Sequence, residues 1–113
     1  MADYRREPTD SEARVLRWLE KKKMDFIFQY EIAGGTAVRG GILVDVVAFV
    51  PWAQPIEIFG EHWHESEITG EERLRLARIE EVFKREVIVL WGKDLESDEE
   101  TDRIMSEKIG TPL

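Results

Sequence analysis

The order of periodic segments predicts an α/β domain, a mixed central sheet in an αβββαβ core flanked by helices. Three observations carry this. A helical segment opens the chain and three strand-like runs follow it, joined by short links that suit antiparallel hairpins. A second helical segment separates the third run from a fourth, which permits a parallel crossover. At 113 residues, 42% hydrophobic and 35% charged, the chain suits one domain with a single core, spanning 1–113, rather than a disordered segment.

Residues 1–8 read as a flexible start ending at Pro8. Thr9 with Glu12 three positions later has the spacing of a capping box, which opens a helix through about Lys23 with Val15, Leu16, Leu19 and Trp18 on its apolar stripe. "DFIFQYEI" alternates, so Phe26, Phe28, Tyr30 and Ile32 are expected on one face of a strand. "AGGTAVRGG" lacks the Gly-Lys-Ser/Thr ending of a phosphate-binding loop and reads as a hairpin connection carrying Arg39. "ILVDVVAFV" is a β-branched, almost wholly apolar run interrupted by Asp45, hence a buried strand ended by Pro51.

"PWAQP" reads as a turn and "IEIF" as a third strand stopping at Gly60. After the loop "EHWHESEITG", a helix is expected from Glu71 to about Arg85, with Leu76, Ile79 and Phe83 on one face. "VIVLW" is the fourth strand, and residues 96–113 form a C-terminal helix and tail.

Composition excludes several classes. Without cysteine there is no disulfide or thiolate chemistry, and a metal must be held by carboxylate, imidazole or backbone oxygen. No apolar run is long enough to span a bilayer and "MADYRREPTD" lacks the apolar core of a signal peptide, so no membrane partner and an intracellular, cytoplasmic address are expected. A net charge of −8 argues against a protein that coats nucleic acid, yet Arg73, Arg75, Arg78, Lys84 and Arg85 gather on one segment.

The acids inside the strands carry the chemistry. Asp45 and Glu57 stand twelve positions apart across a turn, and a hairpin can bring both carboxylates to one edge of the sheet. Two partly buried carboxylates are costly unless a cation neutralises them, and Mg²⁺ or Mn²⁺ suits such oxygen ligands. Pairing with arginine, or exposure to solvent, is the structural alternative.

Glu12 on the first helix, "GGILVDVVAFV", "PIEIFGEHWHE", a basic helix and "VIVLWGKDL" together resemble the PD-(D/E)XK nuclease superfamily, and within it the very-short-patch-repair endonucleases. The resemblance covers about residues 9–95 and rests on joint order rather than on any single motif. It implies a restriction-endonuclease-like fold and a divalent-metal-dependent endonuclease that hydrolyses DNA phosphodiester bonds; a domain this small that cuts both strands is expected to pair as a homodimer or join a larger DNA-processing assembly.

By that resemblance Asp45 and Glu57, with the backbone carbonyl of Ile58, bind the metal. The Gly-x-x-Trp-His match places His64 as the residue assisting water attack, and Trp63 becomes a candidate wedge against bases. Arg39, Arg73, Arg75 and Arg78 are candidate contacts to the nucleic-acid backbone. Glu12 is either the supporting acid that relatives carry on their first helix or only the capping-box acid.

Two departures stand out: Val44 occupies the usual proline position, and Phe59 the position of the family's lysine or glutamine. A catalytically inactive DNA-binding or assembly module is therefore the alternative. For the remaining residues the structural alternatives are exposed loop histidines, a tryptophan that lids the core, and a solvated arginine face paired with neighbouring glutamates.

Overall fold

The computed structural model describes residues 7–34, 40–60 and 68–109. The chain runs α1 (Asp10–Lys21), β1 (Phe26–Ile32), β2 (Ile42–Phe49), β3 (Ala53–Phe59), α2 (Gly70–Phe83), β4 (Ile88–Trp91) and α3 (Asp98–Lys108), with a 3-10 turn, Gly92–Asp94, after β4. Side chains fix each helix start. Thr9 accepts from the Glu12 amide while Glu12 accepts from the Thr9 amide, and Thr69 and Ser97 cap α2 and α3 through the amides of Glu72 and Glu100. No described helix is long and apolar enough to cross a membrane.

The sheet has four strands in the order β1-β2-β3-β4. The first three form an antiparallel meander, and α2 carries the chain across so that β4 lies parallel to β3. This is the mixed sheet that the order of segments predicts.

Helices cover both faces. On one, Val15, Leu16, Trp18 and Leu19 of α1 and Met105 of α3 pack with Phe28, Val46, Ala48, Ile56 and Leu90. Burying an aliphatic side chain of this size is worth about 1.5–3 kcal/mol, so the α1 stripe alone binds the helix firmly to the sheet. The Trp18 indole donates to Asp102 at 2.8 Å and Arg14 donates to the Leu95 carbonyl at 2.8 Å, joining α1 to the C-terminal segment.

On the other face Ile79 of α2 packs with Ile42, Val44 and Val47, flanked by Tyr30 and Phe83 at 5.8 Å between ring centroids. Ile79 is the only fully buried residue of α2, so this helix is held by few apolar contacts and depends more on polar ones.

Two expectations need correction. Phe26, Phe28, Tyr30 and Ile32 do not share a face: Phe26 and Phe28 join the α1 core, Tyr30 and Ile32 the α2 core. Gln29 has φ of 60°, and this left-handed residue rotates the strand and inverts its alternation. β2 inverts at the matching point, because Val46 and Ala48 face α1 while Ile42 and Val44 face α2. The register pairs Phe28 with Val46 and Tyr30 with Val44, so the inversion falls at Gln29 and Asp45.

Secondly, β3 starts at Ala53 rather than Ile56, so "AQP" is strand and not turn. Pro55 is tolerated because β4 joins only at Ile56, and the Gln54 side-chain amide reaches the Glu86 carbonyl at 2.8 Å beside it.

Candidate active site

The β2-β3 ladder pairs Phe49 with Ala53 and continues to Val46 with Ile56, where the backbone pairing ends. Beyond it the strands are joined through carboxylates. The Asp45 amide donates to Glu57 Oε2 at 2.7 Å, and the Ile58 amide donates to Asp45 Oδ2 at 2.8 Å. The two predicted acids thus stand together in a fork between β2 and β3. The inversion of β2 at Asp45 puts its polar side chain at the point where the two strands part.

The cation beside them comes from α2. The Arg75 guanidinium donates through one arm to Glu57 Oε1 and through the other to the Leu43 carbonyl. A fork-shaped donor suits this, since one planar group holds a carboxylate and a strand carbonyl together. Arg75 was expected to face nucleic acid; in the structure it turns inward. Helical spacing carried the signal, because Arg75 lies one turn before Ile79 and therefore on the sheet-facing stripe.

Glu57 is 2% exposed. Burial pushes its carboxyl up from the ordinary 4.5 to about 7, the charge of Asp45 pushes in the same direction, and Arg75 with the Asp45 amide opposes them. A folded-state value above the unfolded one means that the native state holds the proton more tightly. The stabilisation from Glu57 is therefore complete below about 4.5 and is lost as pH rises through about 7. Metal-free Glu57→Gln should accordingly show a flatter dependence of unfolding free energy on pH across that window than wild type, measured by urea denaturation. Parallel curves for the two proteins would assign the titration elsewhere.

A cleft of about 450 Å³ opens beside the fork, lined by Gly41, Leu43, Asp45, Leu74, Arg75 and Arg78. A larger groove of about 750 Å³ runs along β4 past Gln54, Lys84, Arg85 and Lys108, but neither Asp45 nor Glu57 lines it. The smaller cleft reaches Asp45 and the Arg75 guanidinium that covers Glu57.

The other predicted residues divide. Arg78 donates to the Gly40 carbonyl at 2.6 Å, which ties α2 to the start of β2, and Arg73 is exposed. Glu12 is buried and its Oε1 accepts from the Thr9 amide at 2.9 Å, so it closes the capping box. Phe59 follows Glu57 by two positions in β3 and stacks on Trp91 of β4 at 5.2 Å between ring centroids. Arg39, Trp63 and His64 lie outside the described residues.

Among the described residues no group of three His, Asp or Glu side chains is placed to hold a metal. The donors at the fork are two carboxylates and the polar edge of Ile58. That set fits an ion such as Mg²⁺, which binds through one or two carboxylates and keeps several waters. Comparison with protein-family models, curated proteins and solved structures gives no match to this chain.

Proposed function

We propose that this chain is a restriction-endonuclease-like protein that hydrolyses DNA phosphodiester bonds with a divalent metal, Mg²⁺ or Mn²⁺. The observation that carries the reading is the fork: two carboxylates from adjacent strands take the place of ladder hydrogen bonds, one of them almost wholly buried. A fold gains little stability from such a pair, since carboxylates close together repel and resist burial. The order of helices and strands agrees with the αβββαβ core of the resembling family.

In this reading Asp45 and Glu57 hold the ion, and Ile58 adds its carbonyl. The Ile58 amide already points to Asp45, and in an extended strand a residue's N–H and C=O lie on the same side. The bound ion would supply a hydroxide at neutral pH and charge stabilisation on the phosphoryl oxygens. His64 takes the water's proton, a role that imidazole as a side-chain type suits near neutral pH. Exposed Arg73 is available to the phosphate backbone, and Arg39 and Trp63 remain candidates for contacts to the strand.

A second reading has its own observations. Arg75 already compensates Glu57, and the aromatic Phe59 replaces the family's third polar group, both of which suit an inactive DNA-binding or assembly module. Incubation with single-stranded, duplex, mismatched and branched DNA, with and without Mg²⁺ or Mn²⁺, separates the two. Metal-dependent cleavage of at least one form is expected. Binding without cleavage of any form would favour the inactive module.

A further inference from the structure

Arg75 lies between two acids and satisfies one. Its Nη1 donates to Glu57, and the same nitrogen lies 3.8 Å from Glu72 Oε2. That Glu72 oxygen is buried and has no hydrogen-bond partner, although the side chain as a whole is partly exposed. A buried carboxylate oxygen without a donor is costly, so an acceptor stands ready within about 1 Å of charge-assisted hydrogen-bonding distance.

We propose that Arg75 is an exchangeable counter-ion: it neutralises Glu57 in the metal-free protein and passes to Glu72 when a divalent cation takes its place. The proposal rests on the metal reading of the fork. A guanidinium and a metal ion cannot both sit on Glu57 Oε1, because each needs the same lone pairs and like charges at contact repel. Glu72 lies three residues before Arg75 on α2, so a change in side-chain torsion moves the guanidinium between the acids while the helix stays in place. The exchange leaves Glu57 and the guanidinium each with an opposite charge in both states, and gives Glu72 its partner in the metal-bound one. It also makes Glu72 a positioning residue that acts on the site only through Arg75.

The test uses Mg²⁺ as the probe, with binding measured by calorimetry and the Arg75 side-chain N–H signals followed by NMR in the whole chain. In wild type those signals should move on saturation with Mg²⁺. Glu72→Gln should weaken Mg²⁺ binding about tenfold, and Arg75→Met should strengthen it by a similar factor, a coupling of ordinary size between linked equilibria. In the Arg75→Met background Glu72→Gln should then change affinity less than about twofold, because the group that needed a receiver is gone.

An equal loss from Glu72→Gln in both backgrounds would mean plain electrostatic attraction and would overturn the exchange. So would binding that depends on Asp45 yet leaves the Arg75 signals unmoved, an outcome that spares the metal reading. Absence of binding in every variant, Arg75→Met included, would remove both. If Arg75→Met does not fold, the NMR comparison of wild type with Glu72→Gln decides: loss of the Arg75 shift in the variant supports the exchange, and an unchanged shift refutes it.

Discussion

Arg75→Met should lower the unfolding free energy of the metal-free protein by about 3 kcal/mol at pH 8, the low end of the range for removing one partner of a buried ion pair. The low end applies because the Arg75 side chain is 29% exposed whereas Glu57 is 2% exposed. The variant loses two hydrogen bonds and leaves the Glu57 carboxylate beside Asp45 with no guanidinium. The penalty should depend on pH in a defined sense. Without Arg75, the burial and the Asp45 charge that raise the Glu57 value act with less opposition, so the folded-state value stands higher than in wild type.

Protonation then relieves the variant as pH falls, and the difference from wild type should shrink between pH 8 and pH 5.5. Adding Glu57→Gln to Arg75→Met should recover much of the loss at pH 8, since an amide needs no counter-charge. Urea unfolding of the four proteins at both pH values gives the cycle. Equal destabilisation at the two pH values would mean that Arg75 acts through packing and the Leu43 contact alone.

The parts legible in the sequence were those governed by local rules. The capping box at Thr9, the β-branched apolar run of β2 and the Ile79 face of α2 each follow from short-range spacing, and the structure has them where expected. The inversion at Gln29 was not legible, because strand alternation was carried through a residue with no glycine to mark a left-handed backbone. Pro55 reads as part of a turn from sequence; only the point at which β4 joins shows why a strand accepts it.

At the fork, two acids twelve positions apart were enough to suggest a pair, yet their hydrogen bonds to each other's strands depend on where the ladder ends, a property of register rather than of composition. The charge of Arg75 points to a phosphate, whereas its helical phase with Ile79 turns the guanidinium inward to Glu57 and Leu43.

The largest expected effect on activity belongs to Asp45. In the wild-type protein Mn²⁺ should raise the melting temperature, because a ligand bound by the native state alone stabilises it by RT ln(1 + [L]/Kd). Asp45→Asn should abolish that rise and reduce metal-dependent cleavage by on the order of 10³-fold or more, since the metal's stabilisation of transition-state charge amounts to several kcal/mol. The amide keeps an oxygen that can still accept from the Ile58 amide at the position now bonded at 2.8 Å, so the fork should hold its shape and the loss should not be one of folding.

That separates Asp45 from His64, where alanine should cost about 10²-fold, the lower range for a proton-transfer group, with metal binding intact. An Asp45→Asn protein that gains as much thermal stability from Mn²⁺ as wild type would move the ion away from the fork. The Arg75–Glu57 pair would then be the resident structure of the site rather than a state that metal displaces.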